Sequence, residues 1–270
     1  MSKVLCTIAN DKFVDGLNVT LRSFLEHNDF DGDIIVFVNK TYASISDENK
    51  KIISDIVNHK IIYKEINENE YSKLIGHFIL KARGEKRTLR LIPSIFTFDA
   101  FELCKEYDQV LYIDSDMLVI SNIMDIFKKT PGIYVTPALL EYNPNIRYGE
   151  FNGGFLFLNK IGSNNIKYEL LESGVKMDKL DLLDQSVLNN TLNDQVIYLS
   201  CDYNCGKRMF PDFKISSLKN ELQNSIKIIH YVGAKPWELN KVGFETNYNF
   251  IERMWFNYHK KIVNSKNVKV

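Results

Sequence analysis

The chain has 270 residues, of which 45% are hydrophobic and 25% charged, a balance that excludes wholesale disorder and allows one domain with a sizeable core. Lys+Arg and Asp+Glu both number 34, so no global basic field exists to hold nucleic acid or an anionic membrane, and any polyanion must be bound locally. No apolar run approaches the roughly 18 residues of a membrane span, and no signal peptide is evident.

Four cysteines are present. Cys6 and Cys104 lie in apolar segments and read as core. Cys201 and Cys205 have a spacing that zinc could use, but no second Cys/His pair follows at a suitable distance. A soluble protein of the reducing cytoplasm is the expectation.

Taken in order, Lys3–Ala9 reads as a strand. Val14, Leu17, Leu21, Phe24 and Leu25 recur at helical spacing through Phe13–His27. Asn28–Asp33 breaks the helix, Asp33–Val38 is a second strand, Asp47–Asn58 a helix and Lys60–Ile66 a third strand. This alternation predicts an α/β fold with a parallel sheet covered on both faces. Asn67–Lys86 is charged and shows no clear period, so it is expected to be a loop over the ligand edge of the sheet or a solvated insertion. Arg87–Glu106, with Pro93, reads as a helix leading into Val110–Asp114. Beyond Asp116 the alternation does not restart. Ile133–Thr136, Gly154–Leu158, Val196–Leu199 and Ser225–His230 read as strands, Leu180–Leu192 and Tyr248–Lys260 as helices, and Tyr142–Glu150 as a loop. One domain over 1–270 with a mixed, mostly parallel sheet is expected, its nucleotide-binding half at 1–116 and its acceptor-side half at 117–270.

Four stretches carry chemistry. Val110–Asp116 is an apolar strand ending in two carboxylates one residue apart, where open α/β sheets bind ligands. Side chains two apart on an extended segment point the same way, so Asp114 and Asp116 could share one cation. Taken alone, the pattern is also that of a strand ending in a polar turn. Ile229–Trp237 sets His230 at another strand end, beside Gly233, Lys235, Pro236 and Trp237. Two carboxylates and an imidazole favour Mn²⁺ over Mg²⁺ or Ca²⁺, and Lys235 offers a point charge to a phosphate. In Glu150–Leu158, Asn152 and two glycines at the mouth of a strand suggest a backbone pressed on a ligand, or a plain turn. In Leu182–Leu188, Asp184 and Gln185 interrupt the apolar period at a helix start, where an N-cap is the simpler reading.

Together these residues are identified as a resemblance. Asp-Ser-Asp at 114–116, Phe-Asn-Gly-Gly at 151–154, Asp-Gln at 184–185 and His-Tyr-Val-Gly-Ala-Lys-Pro-Trp at 230–237 occur in the order seen in the retaining glycosyltransferases of family 8, glycogenin-like and lipopolysaccharide-galactosyltransferase-like. The resemblance implies a GT-A (Rossmann-like) fold, a UDP-sugar donor and Mn²⁺. It implies Asp114, Asp116 and His230 as metal ligands, and Thr7, Asn10 and Phe13 around the base. Gly233 and Lys235 fall to the diphosphate, Ser115 to donor binding, and Asn152, Asp184 and Gln185 to the sugar and reacting carbon, with Lys235 assisting departure. Tyr203-Asn204 resembles a segment near the acceptor. Phe98 stands where glycogenin-like members carry a lysine, which leaves Arg90, Arg83 or neither for the diphosphate; Arg90 is carried forward.

The expected activity is retaining hexosyl transfer, with UDP-glucose favoured, to a glycan, lipid-linked sugar or protein, and self-glucosylation and a homodimer are open. A catalytically silent UDP-sugar-binding module is the alternative. An Asp-x-Asp phosphatase would need a later Gly-Asp-containing acidic segment, which is absent after Asp116.

Overall fold

Strand β1 (Lys3–Ile8) is the hub of the sheet, pairing in parallel with β2 (Asp33–Val38) on one side and β4 (Gln109–Ile113) on the other. The computed structural model describes residues 1–81, 89–143, 145–162, 165–180, 182–210, 225–239 and 249–266. Its larger sheet has seven strands in the order β3-β2-β1-β4-β7-β6-β8, where β3 is Ile61–Glu65, β6 Gly132–Pro137, β7 Phe151–Asn159 and β8 Val196–Tyr198. β4–β7 and β7–β6 are antiparallel and the remaining pairs parallel, so the sheet is mixed and mostly parallel, as expected.

Alternate residues of the buried strands face opposite layers. Val4, Cys6, Val110 and Tyr112 face one apolar layer, and Leu5, Leu111 and Ile113 the other. The second layer is closed by α1 (Val14–His27), which buries Leu17, Leu21 and Phe24, and by α2 (Asp47–Val57). Helix α2 starts on Ser46, whose Oγ accepts from Asn49 N at 3.3 Å, and stops at Asn58, left-handed at φ 53°.

Two expectations fail between β3 and β4. Residues 68–81 form a helix, α3 (Glu68–Lys81), not a loop. Tyr71, Leu74, Ile75 and Phe78 repeat at helical spacing and are buried, but Glu, Asn and Lys between them mask the period. The remainder of the expected loop, 82–86, lies outside the described residues. The single helix read over Arg87–Glu106 is instead a 3₁₀ segment, Ile92–Phe98, followed by the short α4 (Asp99–Leu103), with Arg87 and Thr88 outside the described residues. Pro93 opens the segment, and the Ser94 and Thr97 hydroxyls donate to the carbonyls three residues back, at 2.8 and 2.7 Å, which suits the tighter winding.

Helices α5 (Ile166–Lys176) and α6 (Asp184–Leu192) complete the first layer. A three-stranded sheet, β5 (Met117–Val119), β10 (Ile228–His230) and β9 (Cys205–Gly206), sits at the carboxyl end of β4. It is covered by α8 (Asn249–Lys266), whose Ile251, Trp255 and Ile262 join Leu118, Ile229 and Tyr231 in a third apolar cluster. Short α7 (Pro236–Leu239) precedes it. Among the described residues, no helix is long and apolar enough to cross a membrane.

Candidate active site

Register in the small sheet places the site. β10 runs antiparallel to β5 with His230 opposite Met117, and Tyr231 N donates to Asp116 O at 2.9 Å. That pairing sets His230 beside Asp116, 114 positions away in the chain. Its Nε2 lies 3.1 Å from Asp116 Oδ1 and 3.5 Å from Asp114 Oδ2. The three side chains offer one donor atom each within 4.8 Å of one another, the arrangement expected of metal ligands.

The charges explain how the cluster holds together. Asp114 is pushed up by burial and by the Asp116 charge, and its Oδ1 accepts from Tyr112 OH at 2.7 Å. Burial also acts to raise Asp116, but the neighbouring Lys235 and His230 outweigh it and hold that carboxyl well below the usual range. Lys235 Nζ donates to Asp116 Oδ2 and, at 3.1 Å, to Tyr231 O. It also stands 5.8 Å from the centre of the Phe13 ring. Phe13 meets Trp237 edge-on at 5.5 Å, and Trp237 Nε1 donates to Lys12 O at 2.9 Å. Pro236-Trp237 is thus tied to the segment that leads into α1.

On the other side of Asp114 lies a carboxamide cluster. Asn152 Oδ1 accepts from Gly154 N at 3.0 Å and from Asn204 Nδ2 at 2.9 Å. Gln185 Oε1 accepts from Asn152 Nδ2 at 3.1 Å and Gly153 N at 3.4 Å, and His230 Nδ1 faces Asn204 Oδ1 at 2.8 Å. The paired glycines are required here. A Cβ on Gly154 would lie 2.5 Å from Asp114 Oδ2 and 2.7 Å from His230 Cε1, and one on Gly153 would lie 2.8 Å from Asp184 Oδ2. Asp184 does not cap α6: Leu183 occupies the cap position, with no side-chain cap bond. The Asp184 carboxyl accepts instead from Ser94 Oγ at 2.6 Å. Burial pushes it up to about 7 against the pull of that hydroxyl, and the Asp114 charge adds to the rise.

The structure therefore brings together Asp114, Asp116, His230, Lys235, Phe13, Asn152, Asp184 and Gln185. Gly233, at φ +88°, follows on the same loop, and a Cβ there would lie 2.8 Å from Arg208 Nη2. Other expected residues are not joined to this cluster by side-chain hydrogen bonds among the described residues. Thr7 is fully buried, on the β1 face shared with Leu5 and Ala9, and its Oγ1 meets no hydrogen-bond partner among the described residues. Asn10 Oδ1 accepts from Lys12 N at 3.0 Å, which shapes the loop after β1. Ser115 is 5% exposed, with its carbonyl turned toward Gly16. Arg90 is exposed and makes no hydrogen bond or ion pair among the described residues, and Arg83 lies outside them.

Asn204 bonds to His230 and Asn152 in this cluster. Its neighbour Tyr203 leaves the site, donating to Asp125 Oδ2 at 2.6 Å. Sequence reasoning missed Tyr112, Ser94 and Arg208. Tyr112 had a signal, standing two residues before Asp114 on the same strand face; Ser94 and Arg208 had none. A second grouping, Cys201, Asp202 and Cys205, also brings three donors together. There Cys205 Sγ donates to Cys201 O at 3.0 Å and Tyr142 OH donates to Asp202 at 2.6 Å. No fourth donor among the described residues completes a zinc set.

The donor set of the first grouping fits a divalent cation: two carboxylate oxygens and an imidazole nitrogen converge. A mixed sheet with an acidic pair past the end of a central strand, beside a histidine and a lysine, is the GT-A arrangement of a glycosyltransferase. A galactosyltransferase, LgtC, solved with donor and acceptor sugar analogs, matches with a TM-score of 0.67 at 19% identity, over 96% of this chain and 95% of that one. GlyE of Streptococcus pneumoniae TIGR4, in its apo form, matches with a TM-score of 0.64 at 20% identity, over 100% of this chain and 64% of that one.

The chain belongs to glycosyl transferase family 8, whose model matches residues 4–241. Among curated proteins of Streptococcus pneumoniae serotype 4 (strain ATCC BAA-334 / TIGR4), the glycosyltransferase GlyA is 24% identical over 95% of this chain and 34% of its own length. Glycosyltransferase GlyB of the same strain is 25% identical over 92% of this chain and 59% of its own. The chain thus spans about a third of GlyA and under two thirds of GlyB. The family is one of glycosyltransferases, and the chain shares its fold with the solved members above.

Proposed function

We propose that the protein transfers a hexose, with retention at the anomeric carbon, from a UDP-sugar to a glycan, lipid-linked sugar or protein acceptor, with UDP-glucose the favoured donor and Mn²⁺ the favoured metal. The observation that carries this is the convergence of Asp114, Asp116 and His230 beside Lys235 and the Asn152–Gln185 pair. Asp114, Asp116 and His230 would hold the cation, whose contribution is Lewis-acid neutralisation of the charge on the leaving diphosphate. The imidazole favours Mn²⁺ over Mg²⁺.

In this reading residues 1–116 supply the nucleotide half and residues 117–270 the acceptor half. Phe13 lies under the base end of the donor. Lys235 exchanges its partner Asp116 for the diphosphate and stabilises charge as the glycosidic bond breaks. Gly233 lets the backbone approach the same phosphates. Asn152 and Gln185 orient the sugar. Asp184 is the one carboxylate of the motifs outside the metal group, and faces the reacting carbon as nucleophile or as the group that orients the acceptor.

The test is UDP release from a panel of UDP-sugars, with Mn²⁺ and with chelator, while the intact protein mass is followed. Metal-dependent release from one donor is expected, and a gain of hexose mass would identify self-glucosylation. Mn²⁺-dependent UDP binding with no turnover of any donor would leave a silent binding module. Near-normal transfer by Asp184→Ala, with UDP binding intact, would remove Asp184 from both roles.

A further inference from the structure

The polarity of the carboxamide cluster follows from two groups that cannot be turned over. A side-chain amide can exchange the places of its oxygen and nitrogen, and a neutral imidazole can hold its proton on either nitrogen. A backbone N–H can do neither. Gly154 N donates to Asn152 at 3.0 Å, so the atom it meets is the oxygen. The second neighbour of that oxygen, Asn204 at 2.9 Å, must then present its NH₂ group. Asn204 turns its oxygen to His230 Nδ1 at 2.8 Å, and an oxygen there requires the imidazole proton on Nδ1. Nε2 is left turned toward Asp114 and Asp116, where a bound cation would take its lone pair.

The same reasoning runs the other way. With its oxygen fixed, Asn152 aims its NH₂ at Gln185 at 3.1 Å. Gly153 N meets the same Gln185 atom at 3.4 Å, so that atom is the oxygen. The Gln185 carbonyl is thus engaged by two donors, and its NH₂ meets no partner among the described residues.

From this chain of bonds we infer that Asn204 is a positioning residue joining two parts of the site: through its oxygen it fixes the imidazole tautomer that gives the metal a lone pair, and through its NH₂ it fixes the carboxamides that meet the donor sugar. It rests on the proposed transferase reading for the words metal and sugar. Asn204 is 3% exposed and also donates to Thr136 Oγ1 at 3.0 Å, so it is held from both sides. Outer hydrogen bonds of this kind typically change metal affinity by 10–100-fold when removed.

The two halves separate by substitution. Asn204→Asp keeps an oxygen for His230 Nδ1–H but sets an acceptor against Asn152 Oδ1. Asn204→Leu removes both. On chelator-treated full-length protein, Mn²⁺ binding is measured by electron paramagnetic resonance, and the His230 tautomer by ¹⁵N NMR without metal. Wild type should show a protonated Nδ1. Asn204→Asp should bind Mn²⁺ within about threefold of wild type or tighter, with kcat for the donor lowered tenfold or more. Asn204→Leu should lose 10–100-fold in Mn²⁺ affinity.

An Nδ1 without a proton in the wild type overturns the inference, as does wild-type Mn²⁺ affinity in Asn204→Leu. Equal loss of Mn²⁺ in Asn204→Asp and Asn204→Leu overturns the division of labour. If Asn204→Leu does not fold, the Asn204→Asp result and the wild-type tautomer still decide. The expected tautomer and Mn²⁺ binding with no turnover of any UDP-sugar would instead sink the transferase reading and leave the tautomer assignment standing.

Discussion

Lys235 holds Oδ2 of Asp116, the oxygen opposite the one that faces His230 Nε2 at 3.1 Å. The ammonium therefore neutralises the same carboxylate that a cation would use, and it is anchored there by Tyr231 O at 3.1 Å. On the proposed reading, the lysine and a metal compete for Asp116 in the nucleotide-free protein, whereas with nucleotide present both would face the diphosphate. The two interactions have opposite signs, and Lys235→Met separates them. Mn²⁺ affinity of the nucleotide-free protein should rise about fivefold, roughly 1 kcal/mol. UDP affinity in the presence of Mn²⁺ should fall at least tenfold. Calorimetry with each ligand measures both, and a fall in both would mean that Lys235 builds the cluster rather than competing within it.

The two glycines of Asn-Gly-Gly press on different carboxylates and should fail differently. Alanine at 154 would put Cβ 2.5 Å from Asp114 Oδ2 and 2.7 Å from His230 Cε1, whereas at 153 it would crowd Asp184 Oδ2 at 2.8 Å. Gly154→Ala should lose Mn²⁺ binding by tenfold or more. Gly153→Ala should keep Mn²⁺ binding near wild type and lose transfer. Mn²⁺ titration beside UDP release decides between them, and equal effects on metal binding would reject the assignment of one glycine to each carboxylate.

What the sequence carried, and what it did not, follows from where each signal resides. Val110–Asp116 was legible because a strand-length apolar run ends in two carboxylates, and the structure places both beside His230. The first three strands and two helices were legible from periodicity. Helix α3 was not, because charged residues fill the positions between its four buried apolar ones. The 3₁₀ winding at Ile92–Phe98 depends on local hydroxyl-to-carbonyl bonds that leave no period. Asp184 read as a cap because capping is local, while its real partner, Ser94, lies 90 residues away. Asn204 showed only a weak resemblance, since its role exists only once β9 and β10 are paired.

Asp184 gives the stability a distinctive pH dependence. Its carboxyl is raised from an ordinary value to about 7 by burial, so the folded metal-free protein holds a proton that the unfolded chain has released. Stability from this group is fully present below the unfolded pKa, about 3.9, and is lost as pH rises toward 7. Midway between these two values the slope from this group should approach the ~1.4 kcal/mol per pH unit that one full proton gives. Denaturant unfolding of metal-free protein between about pH 4 and 7 should show the decline in wild type. Asp184→Asn should flatten it, and an unchanged slope would place the titrating group elsewhere. Ser94→Ala removes a donor to the ionised form and should steepen the decline near neutral pH.

The closing helix reaches the active-site loop through a buried ion pair. Lys207 Nζ lies 3.0 Å from Glu252 Oε1, with the side chains 1% and 0% exposed, and also donates to Ala234 O at 2.8 Å. Ala234 sits between Gly233 and Lys235, so the pair holds the segment expected to meet the diphosphate. Removing one member leaves a charge in the core: Lys207→Met should cost about 3–5 kcal/mol in denaturant unfolding. Adding Glu252→Leu removes the stranded carboxylate, and the double variant should recover most of that loss, because a buried pair often contributes little over an apolar replacement. Neither variant restores the bond to Ala234 O. The double variant should therefore be stable yet show a raised KM for the donor with kcat little changed, which a purely structural ion pair would not produce. A stable double variant with wild-type donor KM would show that Ala234 is held in place without Lys207.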